Sequence, residues 1–284
     1  MGGSAPVPDW FVRAWERLYV RNDGGPPERT VNVRDIQTPT LFGDVRIPKG
    51  RPSYRKPLAE LSDAELATLF PQEGFSGYTT VNGVIAIWHH EIDYQPPDGS
   101  LDIGRLVQAG GRNLFEFGVE ASYEEHWWAL DDGLGAFFGV KVLRKLPGDT
   151  TRVHQILSVV GDHFVYARNR AVDLPMAPSF AALVEKEKPS REVLLEWLDL
   201  EVSHGFVLGG SFPWQIQFST IPDREGEPLA FAQEIVVDPR TGAVTHRGET
   251  PDLIWSFPVN TLDVEDLVVL FPPGDGSDSD AGTK

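Results

Sequence analysis

Short alternating or aromatic-rich runs, each closed off by Gly, Pro, Asn or Asp, fill most of this chain, and no apolar run approaches the roughly 18 residues a membrane helix needs. Punctuation of that kind leaves little room for long helices and favours antiparallel strands joined by tight turns. Candidate strands fall at 15–21, 30–37, 41–47, 76–81, 84–95, 102–108, 113–121, 123–130, 135–145 and 150–159. A second series follows at 163–171, 198–206, 213–219, 229–237, 243–247, 253–257 and 264–270. Asn82-Gly83 between apolar runs marks a tight hairpin, because both central residues of a type I′ turn need positive φ.

Three helices interrupt the strands. Ser62-Asp63-Ala64-Glu65 is a capping box, with Leu61 and Leu66 placed as its hydrophobic staple. Ser179 to Glu187 and Ser190 to Trp197 form two more, separated by Lys188-Pro189, where proline ends one helix and Ser190 caps the next.

Many evenly spaced strands with few helices point to a mainly β chain of closed or nearly closed barrels, since closure removes exposed sheet edges. A chain of 284 residues suits one large β-domain or two of ordinary size. Two antiparallel barrel lobes with a few short helices fit best. The first covers 1–150 and the second 151–271, with 179–197 as a helical insertion. The break is expected near Pro147-Gly148-Asp149 or soon after Val160-Gly161. Residues 272–284 are acidic, small and almost free of apolar side chains, the composition of a disordered tail.

Charge narrows the partners. With 42 acidic against 25 basic residues the formal charge is −17, which repels phosphate backbones and anionic membrane surfaces, so neither nucleic acid nor membrane is expected. The opening Met-Gly-Gly-Ser-Ala-Pro-Val-Pro lacks the basic region and apolar run of a targeting segment, and the chain reads as soluble and cytoplasmic. The absence of cysteine excludes disulfides and thiolate chemistry. Homodimer formation stays an open alternative.

Chemistry concentrates in Trp88-His89-His90-Glu91-Ile92-Asp93-Tyr94-Gln95. A strict two-residue period puts His89, Glu91, Asp93 and Gln95 on one face and Trp88, His90, Ile92 and Tyr94 on the other. The first face inward gives an acid–base row, with His89, Glu91 and Asp93 as proton carriers; the second gives an aromatic pocket holding one histidine. An outward, solvated polar face is the plainer alternative.

Tyr123-Glu124-Glu125-His126-Trp127-Trp128 again offers two faces, Tyr123, Glu125 and Trp127 or Glu124, His126 and Trp128. A carboxylate such as Glu125 desolvated between aromatics has a raised pKa, as a general acid needs, whereas a Glu paired to arginine in an ordinary core is the bland version. Phe164, Tyr166, Arg168 and Arg170 share one strand face, where the arginines either pair internally or grip a ligand carboxylate. No His-x-His, His-Glu-x-x-His or Gly-x-Ser-x-Gly motif occurs, and His89 and His90 point to opposite faces, so neither metal nor another cofactor is expected.

Val33-Arg34-Asp35-Ile36-Gln37-Thr38-Pro39-Thr40-Leu41-Phe42-Gly43-Asp44-Val45-Arg46-Ile47-Pro48, then Tyr123-Glu124-Glu125-His126-Trp127, then Gly161-Asp162-His163-Phe164-Val165-Tyr166-Ala167-Arg168 resemble segments of little-characterised bacterial proteins. These in turn resemble the fungal HRI-type, casein-kinase-interacting proteins built from two lipocalin-like β-barrels. The resemblance implies a double lipocalin-like fold. The expected function is binding of a small, largely apolar or amphipathic molecule in a barrel cavity, with Trp88, Tyr94, Tyr123, Trp127, Tyr166 and Arg168 as its contacts. Two alternatives stand beside it: a cofactor-independent lyase, isomerase or cyclase using His89, Glu91, Asp93 and Glu125, and a protein-interaction module.

Overall fold

A computed structural model describes residues 7–130, 136–247 and 251–271, so the tail expected at 272–284 lies outside the described residues. The chain is mainly β. Its first eight strands are β1 (Arg13–Asn22), β2 (Val31–Gln37), β3 (Leu41–Pro48), β4 (Glu73–Asn82), β5 (Ile85–Asp93), β6 (Asp102–Gln108), β7 (Asn113–Gly118) and β8 (Tyr123–Ala129). They run in sequence order around a closed antiparallel barrel. Pairing of β1 with β8, from Trp15 opposite Ala129 to Asn22 opposite Tyr123, closes it and removes both sheet edges.

The second lobe is an open six-stranded sheet, not the expected second barrel. Its strands are β9 (Phe137–Leu146), β10 (Thr150–Val160), β11 (His163–Arg168), β12 (Glu201–Phe206), β13 (Gln215–Ser219) and, after the small hairpin of β14 (Ile235–Val237) and β15 (Val244–His246), β16 (Leu253–Asn260). The order is β13-β12-β11-β10-β9-β16. Its edge strands β13 and β16 do not pair with each other, and both of its faces are covered. On one side Ile156, Val165, Ala167 and Val202 pack against Ile36, Val45, Ile47 and Ile92 from the outside of the barrel. On the other, Val140, Leu157, Phe164 and Tyr166 pack against Phe231, Ile235, Val237 and Leu267. Because β9 belongs to this sheet, the break between lobes falls between Ala129 and Phe137, ahead of the turn at 147–149.

Gly43 sits where the lobes touch. A Cβ there would stand 2.5 Å from Val165 Cγ1, so glycine lets β3 approach β11 closely. Helix α1 (Asp63–Ala67) starts at the capping box: the Ser62 hydroxyl accepts from the Glu65 amide at 3.3 Å, and the Ser62 amide donates to Glu65 Oε2 at 2.7 Å. Helices α2 (Phe180–Glu187) and α3 (Arg191–Leu198) begin at the caps Ser179 and Ser190. They insert Phe180, Leu183, Leu194 and Trp197 into the layer between the lobes, beside Leu61 and Leu66.

Two strand expectations are overturned. Residues 264–270 form helix α4 (Val264–Leu270), because the Asp263 side chain accepts from the Asp266 amide and caps a helix that the β-branched composition disguises. Within 229–237, Ala230–Glu234 is a 3-10 turn and only Ile235–Val237 is strand. Among the described residues, no helix is long and apolar enough to cross a membrane.

One irregularity decides how the barrel presents its side chains. Ser76 pairs with Ile92, but Gly77 pairs with His90, so Glu91 is an extra residue in β5, a β-bulge. A Cβ on Gly77 would lie 1.9 Å from the His89 carbonyl oxygen. Gly77→Ala is therefore expected to cost more than ~3 kcal/mol in urea unfolding. Gly50→Ala, which meets nothing within 4 Å, should stay within about 0.5 kcal/mol. Ser62→Ala should cost about 1 kcal/mol through loss of its cap.

Candidate functional site

Before the bulge, β5 turns Ala86, Trp88 and His90 into the barrel; after it, Asp93 opposite Phe75 takes the inward position while Ile92 and Tyr94 turn out into the layer between the lobes. Neither face predicted from a strict two-residue period survives. Trp88 and His90 do share an orientation, yet Ile92 and Tyr94 are lost to the other side. Tyr94 is buried there, donating to the Leu69 carbonyl at 3.2 Å and stacking on Phe180. His89 faces out, bonded to Thr80 at 3.0 Å and stacked on the half-exposed Tyr78. Glu91 clamps the lobes through Lys141 Nζ of β9 at 2.6 and 2.7 Å. His89 and Glu91 therefore do not reach the interior, and only Asp93 of that expected row does.

The barrel interior is divided. One half is dry, packed with Phe11, Trp15, Trp88, Leu106, Leu114 and Trp127. The other half gathers ionisable groups. Asp35 of β2, Asp44 and Arg46 of β3, Asp102 of β6 and Glu116 of β7 line a void of about 20 Å³ whose floor is Trp15, Trp88 and Trp127. That is room for a water molecule or a guest of very few atoms. Tyr123 and Glu125 of β8 complete the polar half: Tyr123 Oη donates to Glu116 Oε1 at 2.7 Å, and Glu125 forms a buried ion pair with Arg17. Glu125, Tyr123 and Trp127 thus share the inward face of β8.

Arg46 grips Asp44 through Nε at 3.0 Å and Nη2 at 3.2 Å, and reaches Glu73 at 3.5 Å. His90 is held at both nitrogens, Nδ1 to Asp93 at 2.7 Å and Nε2 to Asp102 at 3.0 Å, and it lies flat on Phe75 at 4.1 Å. An imidazole with a carboxylate at each nitrogen must donate twice, which is the charged form. Burial opposes that charge, but the bonds to Asp102 and Asp93 overcome it and lift the pKa to about 9.

The carboxyls shift for a different reason. Burial, then the neighbouring Asp44 and Glu116, push Asp35 well above the usual range. Burial, then Glu125 and Asp102, do the same to Glu116. Asp44 is raised by burial only to about 6, because Arg46 pulls it back. Burial and the adjacent Glu116 also push the Tyr123 phenol up. Asp35, Asp44, Asp93, Asp102, Glu116 and Glu125 face Arg17, Arg46 and His90, so carboxyls outnumber cations in the interior. Burial and the neighbouring carboxyls favour the protonated form of Asp35 and Glu116 most strongly.

Tyr166 and Arg168 do not join this site. Tyr166 accepts from Gln155 at 2.9 Å and stacks on Phe231 behind the second sheet, while Arg168 pairs with Asp199 at 2.7 Å. A wider open groove of about 620 Å³ runs along β13, but its carboxylate Glu225 is already engaged by Arg51. Among the described residues no three His, Asp or Glu side chains are arranged to hold a metal ion.

Sequence reasoning missed Arg17, Asp35, Asp44, Arg46, Asp102 and Glu116. The signal was present in β3, where Phe42, Asp44 and Arg46 alternate with Leu41, Val45 and Ile47. Both sets are interior, the apolar set facing the second lobe and the mixed set facing the barrel. No family model, no curated protein and no solved structure matches this chain.

The charge arrangement sets a pH dependence. A histidine whose pKa rises from 6.5 to about 9 on folding stabilises fully below pH 6.5 and loses that contribution as pH climbs through 9. Carboxyls raised on folding act in the same direction, since the folded state holds protons the unfolded chain releases. His154 and His204, held low chiefly by burial, act only below pH 6.5. Unfolding free energy should therefore fall between pH 6.5 and 9, with His90 contributing on the order of 3 kcal/mol. Urea titrations across that range should show His90→Gln with a much flatter profile than the parent chain.

Proposed function

We propose that the protein binds a small polar molecule in the ionisable half of the β1–β8 barrel. The observation that carries this reading is the convergence of Asp35, Asp44, Asp102 and Glu116 on one void with Arg46 and an aromatic floor. Burying so many ionisable groups is costly, and a filled apolar interior would be more stable. Perturbed acids and bases that meet at a cavity are the usual mark of a functional site. The largely apolar ligand expected of a lipocalin-like barrel has less support, because Phe11, Trp15, Trp88 and Trp127 fill the dry half themselves.

Proton transfer on the bound molecule is the second reading, favoured by the spread of proton affinities within one cavity. Asp44, raised to about 6, is suited to accept a proton near neutrality, and Asp35 or Glu116, whose burial favours the protonated form, is suited to give one. His90 then fixes positive charge beside Asp102. This is the chemistry of a cofactor-independent lyase, isomerase or cyclase.

Native mass spectrometry of protein isolated under mild conditions from its own host tests the binding reading. The parent chain should carry a small polar species, and the charge-neutral double variant Asp44→Asn, Arg46→Gln should lose it while keeping the circular dichroism of the fold. A parent chain free of any bound species, or a species that persists in the variant, would contradict the reading.

A further inference from the structure

We infer that the groove along β13 is a second binding site, one that takes a small organic carboxylate with an apolar end. It shares no residue with the barrel interior and does not depend on the reading given to that site.

The groove holds about 620 Å³ and lies where the two lobes meet. From the barrel lobe it is lined by Ser53 and Arg55, in the segment between β3 and α1; from the second lobe by Gly209, Gly210 and Ser211 ahead of β13, and by Gln215, Ile216 and Gln217 of β13 itself. Junctions between lobes are common places for ligands, and this volume suits a molecule of many atoms. Both sides are held in place by the protein alone. Arg51, with only 2 % of its side chain exposed, pairs with Glu225 and donates to Gln72 Oε1 at 2.8 Å and to the Ser219 carbonyl at 2.7 Å, which locks the barrel-lobe segment to the end of β13. Across the groove, Asp162 Oδ1 accepts from the Leu208 and Gly209 amides at 2.6 and 3.0 Å, and Gln215 Oε1 accepts from the Ser211 amide at 2.8 Å. A site ordered in advance loses less entropy when it binds.

Charge and hydrogen-bond polarity select the guest. Glu225, the one carboxylate lining the groove, is answered by Arg51, whereas Arg55 is exposed and pairs with no carboxylate among the described residues. Gln215 has spent its oxygen on the Ser211 amide, so it offers N–H donors alone, beside the donors of Arg55 and the hydroxyls of Ser53 and Ser211. A surface so rich in donors wants an acceptor-rich guest. One uncommitted guanidinium matches one carboxylate, gripped through two parallel N–H···O bonds, and a phosphate dianion would bring a second charge that finds no partner. The net charge of −17 repels anions at long range, but salt confines that repulsion to about 8 Å at physiological ionic strength.

The apolar end follows from Phe206 and Ile216, which line the same groove. The Gly226 amide donates to the Ile216 carbonyl at 2.9 Å, and a Cβ on Gly226 would lie 3.9 Å from Arg55 Nη1. Ile216 in turn stands opposite Gly205 of β12, next to Phe206. Two strand spacings, ~10 Å, therefore separate the region of Arg55 from that of Phe206. A carboxylate carried on a short carbon chain that ends in a ring spans that distance.

Four probes test the parts of the claim on the full-length chain: phenylbutyrate, its neutral counterpart phenylbutanol, its cationic counterpart phenylbutylamine, and butyrate, which lacks the ring. Dissociation constants come from NMR chemical-shift titration at physiological ionic strength and pH 7.5. Phenylbutyrate should bind about tenfold or more tightly than each of the other three, with the largest shifts at Gly210, Gln215 and Gln217. Arg55→Gln should weaken it by a similar factor; Gln217→Glu should weaken it and Gln217→Lys strengthen it, all three variants keeping the circular dichroism of the parent. Phenylbutanol or phenylbutylamine binding as tightly as phenylbutyrate would overturn the carboxylate, and butyrate binding as tightly would overturn the apolar end. Parent affinity in Arg55→Gln, shifts centred on the barrel interior, or no binding of phenylbutyrate up to its solubility limit would overturn the site.

Discussion

Glu91 is the one residue by which β5 exceeds its partner β4, and the placing of the ionisable groups around it depends on that excess. A strand of strict period two would send His90 and Asp93 to opposite faces. The bulge shifts the phase between them, so both reach the inside of the barrel and share a 2.7 Å hydrogen bond. The same shift turns Ile92 and Tyr94 outward, where they supply apolar surface against which the second lobe packs. The Glu91 side chain, displaced from either regular face, becomes the ion pair with Lys141 that ties β5 to β9. Gly77 makes this geometry sterically feasible, since any side chain there would collide with the His89 backbone.

The barrel is consequently a two-sided object. Its outer wall, on the side of Ile36, Val45 and Ile47, is as dry as a core, while its inner wall is polar over half its height. That inversion separates it from an ordinary antiparallel sheet with one wet and one dry face. The dry outer layer and the tryptophan floor supply the apolar burial that offsets the cost of the interior charges. Arg17, Arg46 and His90 pair with carboxylates inside, and burial pushes the proton affinity of Asp35 and Glu116 upward.

How much of this was legible in the sequence follows from the range of the interactions involved. The capping box at Ser62 is complete within four residues, and the structure forms both of its hydrogen bonds. Strand alternation is almost as local, and the barrel strands appear close to where the pattern puts them. Helix α4 was misread because Val264, Val268 and Val269 favour a strand, whereas the deciding interaction is the single cap at Asp263. The second sheet was expected to close because closure is the common way to protect edges; here coverage by α4, the 3-10 turn and the β14–β15 hairpin buries its far face. The site was least legible. Trp88, Tyr123, Glu125 and Trp127, singled out from the sequence, stand on the inner wall of the barrel, but Asp35, Asp44, Arg46 and Asp102 look like the solvated face of a strand until it is known that both faces are buried. The bulge that moves His90 and Asp93 together depends on the pairing with Gly77, which no periodicity within β5 reveals.

The state of His90 tests the whole arrangement most directly. Nitrogen-15 NMR of the imidazole rings, assigned with the His90→Gln variant, reads protonation at Nδ1 and Nε2 separately. The account predicts that His90 is doubly protonated at pH 7.5 and titrates near 9, as two carboxylate partners inside the barrel require. A neutral His90 at pH 7.5, titrating at or below the ordinary histidine value, would mean that Asp93 and Asp102 do not hold it and that the phase shift at Glu91 does not build the interior described.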